Sequence, residues 1–261
     1  MKYILKSLSI IMELIRFFVS GIYVLCVNRD KTRRRQKLML NIAHTAKQLI
    51  RIMGFKVTVT NPEKLSILTE RNHLIVTNHV SYMDIPILAS IHPMLFITSI
   101  EMKSTPFLGQ ITQLGGSLYT DRRHISALKE DLIKITEVMK EGFDLALFPE
   151  GTSFNGDYVH PFRKSLFESA IQSQTPVIPM CIRYITIDGK PFSLSNRDLI
   201  CWYGDMAFFP HFPIMLKLKE IRVEVTIFDE VPIEKDMERQ KLSDMTFDII
   251  NNKFNQYPPL R

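Results

Sequence analysis

The stretch Leu74-Ile75-Val76-Thr77-Asn78-His79-Val80-Ser81-Tyr82-Met83-Asp84-Ile85-Pro86 decides how the chain is read. Leu74 to Val76 is a short apolar run, the pattern of a strand buried on both faces. Pro86 marks the first turn of a helix, where its fixed φ and missing N–H are tolerated. The residues between form a strand-to-helix corner, where α/β folds expose reactive side chains. Two readings of His79 and Asp84 stand at this point. Either the carboxylate caps the following helix and the imidazole is a structural hydrogen-bonder, or the carboxylate orients the imidazole as a general base. Five residues apart on one straight helix they would not meet, so the second reading requires a turn between them.

Outward from that corner, strands and helices alternate. Phe55 to Thr60 alternates in strand fashion and Pro62 ends it. Downstream, Leu95–Ser99, Leu145–Phe148, Val177–Ile187 and Arg222–Phe228 read as strands. Helical periodicity covers Met102–Leu114 with an interruption at Pro106, then His124–Lys140, Lys164–Ile171 and Lys235–Phe254. The pattern predicts an α/β fold with a mixed, largely parallel sheet flanked by helices. The 261 residues, 46% of them hydrophobic and 23% charged, suffice for one large folded domain with an appendage.

That appendage is N-terminal. Residues 3–27 are strongly apolar, but Lys6, Ser9, Glu13, Arg16 and Ser20 recur at spacings of three and four and fall on one narrow helical stripe. The length suits a membrane span. A Glu or Arg facing lipid at mid-bilayer costs about 2.5–3.5 kcal/mol, so an interfacial helix, or one whose stripe packs on a partner, is the cheaper arrangement. A buried core helix is the remaining alternative. Arg29, Lys31, Arg33, Arg34, Arg35 and Lys37 follow, a cluster suited to anionic head groups or to a solvated helix start. A second amphipathic helix runs from Leu38 to Met53 and stops at Gly54. The expected division is a membrane-docking helical hairpin over 1–54 and an α/β domain over 55–261, seated on the cytoplasmic face of the membrane.

The net charge of +6 fits an anionic membrane surface or substrate. No zinc-finger spacing, paired RNA-binding aromatics or long basic block points to nucleic acid. The three cysteines, Cys26, Cys181 and Cys201, show no metal or CxxC spacing and read as small buried hydrophobes. There is no G-x-S-x-G, HExxH, GxGxxG or P-loop motif, so any hydroxyl that His79 activates belongs to the substrate. Phe148-Pro149-Glu150-Gly151-Thr152 directly follows a predicted buried strand, with Glu150 expected to project from the strand end; it is a site-like corner or an ordinary turn. Gly116 to Arg122 ends in a cation that reads as a phosphate clamp or a salt-bridged surface residue.

Together these residues resemble the PlsC-type glycerolipid acyltransferases, the 1-acylglycerol-3-phosphate acyltransferase-like enzymes. The His-x4-Asp block is His79 to Asp84. The Gly-x-x-Phe-Ile-x-Arg block survives in weakened form as Gly116 to Arg122, with Tyr119 and Thr120 at the Phe and Ile positions. Phe-Pro-Glu-Gly-Thr is intact at Phe148 to Thr152, and Val-Ile-Pro at Val177 to Pro179. The resemblance implies that His79 is the base, Asp84 its orienter, and that Arg122, Glu150, Gly151 and Thr152 bind the acceptor's head. Pro179 and its neighbours would shape the pocket for the acyl chain or its carrier. It further implies acyl-CoA or acyl-carrier protein as donor cosubstrate, a lysolipid as acceptor, and no bound cofactor or metal. Ser153 stands where the third block often continues with Arg, which favours a lysophospholipid or lyso-aminolipid over a strict lysophosphatidate acceptor. A lipid-binding adaptor without catalysis and a lipid hydrolase are the rival functions. Cys201 to His211 resembles a stretch of some family branches and has no assigned role.

Overall fold

The computed structural model describes residues 2–121 and 123–257. The chain runs α1 (Lys2–Val27), α2 (Lys31–Met53), β1 (Phe55–Val59), α3 (Ile67–Glu70), β2 (Leu74–Thr77), α4 (Asp84–Ile91) and β3 (Leu95–Ser99). It continues through α5 (Ile100–Ser104), α6 (Leu108–Leu114), β4 (Leu118–Thr120), α7 (Ile125–Lys140), β5 (Leu145–Leu147) and α8 (Phe167–Ser173). Then come β6 (Val177–Ile187), β7 (Lys190–Pro191), α9 (Phe208–Leu216), β8 (Ile221–Ile227) and α10 (Arg239–Phe254).

The sheet order is β1-β8-β6-β2-β5-β3-β4, with β7 hairpinned onto β6. Strands β2 to β6 are mutually parallel; β8 is antiparallel to β6 and carries β1 parallel to itself, so two strands at one end run the other way. The mixed, largely parallel sheet is thus present. Side chains alternate across it and build two cores. Ile75, Ala146, Ile178, Met180 and Ile182 face a layer that includes α2, α4 and α9, while Leu74, Val76, Leu145, Leu147, Val177 and Cys181 face α7, α8 and α10. Strand β2 is buried at every position, its apolar run Leu74 to Val76 continuing into a buried Thr77.

The N-terminal helix packs with its polar stripe along the edge of its buried face. Lys6 Nζ donates to the Met53 and Leu218 carbonyls at 2.7 and 2.8 Å, and so satisfies an end carbonyl of α2. Arg16 binds Glu13 at 2.7 Å and reaches Asn41 and Thr45 of α2 at 3.1 and 2.5 Å. Ser9 departs from the expected stripe and is exposed; the buried line runs instead through Ile10, Phe17, Gly21 and Val24. What α1 turns outward is apolar: Ile11, Met12, Ile15, Val19 and Tyr23 are each more than half exposed. Over Tyr3–Val27 the helix is long and apolar enough to cross a membrane.

Helix α2 begins earlier than its apolar periodicity suggests, at Lys31, because Asp30 caps it through the Arg33 amide at 2.7 Å. The basic cluster therefore lies largely in its first turns, where Arg35 pairs with Glu141 after α7. Gly54 ends α2 with φ +84°, and a Cβ there would lie 2.3 Å from the Lys219 carbonyl oxygen.

Candidate active site

Strand β2 delivers His79 and the neighbouring β5 delivers Glu150, both at the carboxyl ends of parallel strands. Between Thr77 and α4 the chain folds around one carboxylate. Asp84 is the first residue of α4, and its side chain turns back instead of capping the helix. Its Oδ2 accepts the Val80 and Ser81 amides at 2.8 and 2.9 Å and His79 Nδ1–H at 2.9 Å; its Oδ1 accepts the Tyr184 hydroxyl at 2.7 Å. Asp84 is fully buried, so these donors replace its lost hydration. The turn that the base–orienter reading requires is present, and the N-cap reading falls.

With Nδ1 committed to Asp84, His79 keeps Nε2 as its free acceptor. The ring is stacked on Phe148 at 4.1 Å between centroids, and Phe148 stacks in turn on Phe96. Asn78 fixes the corner to β6: its Oδ1 accepts from the Ile182 amide and its Nδ2 donates to the Ile182 carbonyl, at 2.9 and 3.0 Å. Tyr184 sits farther along β6 on the same face, and burial beside Asp84 keeps its phenol protonated as a donor.

Glu150 is turned inward, contrary to the sequence expectation that it projects from the strand end. It is 4% exposed; Oε1 accepts the His79 amide at 2.6 Å and Oε2 the His160 amide at 2.8 Å. The third block thus grips the backbone of the histidine itself. Gly151 turns the chain at φ +87°, and Thr152 is exposed beside it. Arg122 lies outside the described residues. Pro179 is opposite Val76 in mid-sheet, with the parity of Val177 and Cys181, on the face away from His79. The structure therefore brings together His79, Asp84 and Glu150, with Gly151 and Thr152 at their edge, and leaves Pro179 behind the sheet.

Burial pushes the Glu150 carboxyl up to about 8; the two amide donors oppose the shift and the Asp84 charge adds to it. A carboxyl with a folded value above its ordinary 4.5 binds more protons folded than unfolded, so it removes stability as pH rises from about 4.5 to about 8. Glu150→Gln abolishes that slope, and it turns an amide NH2 toward a backbone N–H at a cost of about 1–3 kcal/mol. In paired melting curves Glu150→Gln is expected to lie below the parent at about pH 5 and to close the gap toward about pH 9. A gap constant with pH would remove Glu150 from the titration.

On the His79 side of the sheet an apolar cavity runs under α1 and α2. Leu14, Phe17, Ile42, Phe107, Phe208 and Phe212 contribute to its wall, while Tyr82, Met83, Phe96 and Trp202 bring it to the histidine corner. The segment that had no role closes this side. Trp202 N donates to the Val80 carbonyl at 2.9 Å, Ser81 Oγ to the Ile200 carbonyl at 2.7 Å, and Ser153 Oγ to the Trp202 carbonyl. Tyr82 donates to His211 Nδ1 at 2.9 Å, while His211 Nε2–H donates to the Asp198 carbonyl at 3.0 Å. Ser153, which replaces a frequent arginine, is thus a buried clasp. Among the described residues no group of three His, Cys, Asp or Glu is placed to hold a metal ion.

Residues 56–183 match the Acyltransferase family model. A lyso-ornithine lipid O-acyltransferase of Rhizobium meliloti is 29% identical over 177 residues, 65% of this chain and 61% of that protein. A 1-acyl-sn-glycerol-3-phosphate acyltransferase of Neisseria gonorrhoeae is 32% identical over 171 residues, 66% of this chain and 65% of that protein. Both alignments span a little under two thirds of the relative's length. The crystal structure of the 1-acyl-sn-glycerophosphate acyltransferase PlsC from Thermotoga maritima superposes with a TM-score of 0.68 at 20% identity, covering 98% of this chain and 97% of that one. The four ordered blocks all lie inside the matched region, so residues 56–183 are similar to the Acyltransferase family, in a chain that shares the PlsC fold across its length.

Proposed function

We propose that the protein transfers a fatty acyl group from acyl-CoA or acyl-carrier protein to the free hydroxyl of a membrane lysolipid. The observation that carries this reading is His79, held at Nδ1 by a buried carboxylate with Nε2 free, beside an apolar cavity. Nε2 takes the proton of the acceptor hydroxyl as its oxygen attacks the thioester carbonyl. The C–S bond breaks, an ester forms, and the thiolate leaves with the proton from the imidazolium. Asp84 stabilises that imidazolium, and the cavity takes the acyl chain of the membrane lysolipid. The N-terminal helices serve as the docking unit, with α1 lying in the interface rather than crossing it, because its inner flank is packed on the domain from Lys6 to Val24. The thioester donors place the site on the cytoplasmic face.

The names of the relatives supply two acceptor classes, lyso-ornithine lipid and 1-acylglycerol-3-phosphate. Ser153 supplies no cation at the third block and is turned inward, which favours the lyso-aminolipid or a lysophospholipid. Arg122, Gly151 and Thr152 remain the proposed head-group contacts. A panel of these acceptors, each offered with labelled acyl-CoA and acyl-carrier protein, tests the reading. Labelled diacyl product is the expected result. Free fatty acid without acylated product would make the protein a hydrolase, and tight lysolipid binding without transfer an adaptor.

A further inference from the structure

Helices α5 and α6 are joined by Thr105-Pro106-Phe107, and Phe107 there has φ +67° and ψ −55°. The Leu108 amide donates across it to the Pro106 carbonyl at 2.8 Å. Those features define a γ-turn with positive central φ, a rare and strained conformation for a residue with a side chain. The turn is held from behind. Gly109 N donates to the Thr105 carbonyl at 2.8 Å, and a Cβ on Gly109 would lie 2.4 Å from the Lys103 carbonyl oxygen. Helix α6 packs directly on α1, which fixes the other side. Strain retained in so tight a frame points to the side chain it aims.

That side chain enters an aromatic junction. Its ring lies 6.3 Å from Phe18 of α1, and 6.3 and 6.2 Å from Phe208 and Phe209 of α9. Phe107 and Phe208 belong to the cavity wall. Phe209 is 63% exposed, and Phe18, half-buried, precedes the exposed Val19 on α1. Phe107, half-buried, therefore stands where the inner wall meets the outer apolar surface. Ile214 extends that surface along α9, which packs on α1.

We infer that the junction of α1 and α9 is a lateral portal through which a fatty acyl chain passes from the bilayer into the cavity, with Phe107 as the residue that closes it. The inference rests on the acyltransferase reading for the nature of the chain. Entry from the side spares each methylene the exposure to water that a route through the aqueous face would impose. It also gives the strained turn a use: a ring held by three aromatic contacts, on a turn between two helices, can swing without moving the sheet.

Trp202 is the protein's single tryptophan and lines the cavity, so a brominated acyl chain that enters will quench its fluorescence. The test uses full-length His79→Ala protein, which isolates chain entry from turnover, on phosphatidylcholine–phosphatidylglycerol vesicles. A 1-acyl lysophospholipid brominated at mid-chain is delivered in the same vesicles. Adding Phe107→Ala is expected to raise the quenching rate about threefold or more, with Phe107→Leu between the two. Phe107→Gly accepts the positive φ without strain, so it carries the same test if the alanine variant folds poorly. Rates unchanged or lowered in both the alanine and glycine variants overturn the portal. Quenching needs no transfer, so this outcome is independent of whether any acceptor is acylated.

Discussion

Replacing His79 by alanine is expected to lower acyl transfer about 10²–10⁴-fold while the melting temperature falls by only a few degrees, the size of effect that a positioned general base contributes. The geometry explains the separation of the two effects. His79 brings one hydrogen bond and one ring stack to the fold, whereas the backbone of the corner is held independently. Glu150 fixes the His79 amide, the His79 carbonyl accepts from the Phe154 amide at 3.0 Å, and Asp84 fixes the next two amides. The alanine variant therefore keeps the corner and loses the base. Asp84 is a poorer choice for isolating the chemistry, because two loop amides and the Tyr184 hydroxyl as well as His79 converge on it, and its removal strands buried donors. Single-turnover transfer with the best acceptor of the panel checks the prediction. Undiminished turnover in the alanine variant would refute the base mechanism.

Most of the strands were legible because parallel strands buried on both faces are written as unbroken apolar runs. Leu95–Ser99 and Val177–Ile187 are observed with the boundaries the sequence suggests. The corner was legible as a corner, and His79 and Asp84 as a possible pair, but their partners were not. Tyr184 reaches Asp84 from 100 positions away, and it reads in sequence as one more aromatic in an apolar strand. Its parity with Ile178, Met180 and Ile182 is the one sequence signal that places it on the histidine's side. The same parity rule moves Pro179 to the opposite face. Glu150 read as a projecting carboxylate because nothing local reveals that two backbone amides, one of them 71 positions away, draw it inward. Helix α9 was missed because Pro213 lies inside it and its aromatics carry no clear period. The clasp of Ser81, Ser153 and Tyr82 on residues 200–211 is long-range in the same way, since bonds to two carbonyls and one imidazole leave no spacing to read.

The double substitution Ile11→Asp with Ile15→Asp is expected to move the protein from the vesicle pellet into the supernatant, changing its partition about 100-fold or more. Both side chains are more than half exposed, on the side of α1 opposite the packed line of Ile10 and Phe17. A carboxylate costs about 2.5–3.5 kcal/mol at mid-bilayer and less near the interface, and about 1.4 kcal/mol per site already yields that change for the pair. Deleting residues 1–27 would test the same surface less cleanly. It would strip Arg16 from Asn41 and Thr45 and remove Leu14 and Phe17 from the cavity wall, so loss of binding and loss of structure would be confounded. The double variant leaves Lys6, Glu13 and Arg16 in place, and its melting temperature in detergent should match the parent's. Arg29, Lys31, Arg33 and Lys37 stay exposed beside the helix, so residual binding should be confined to anionic vesicles and fade with salt. If the variant still sediments fully with neutral vesicles, α1 is not the docking surface, and the exposed apolar residues of α9 become the next to test.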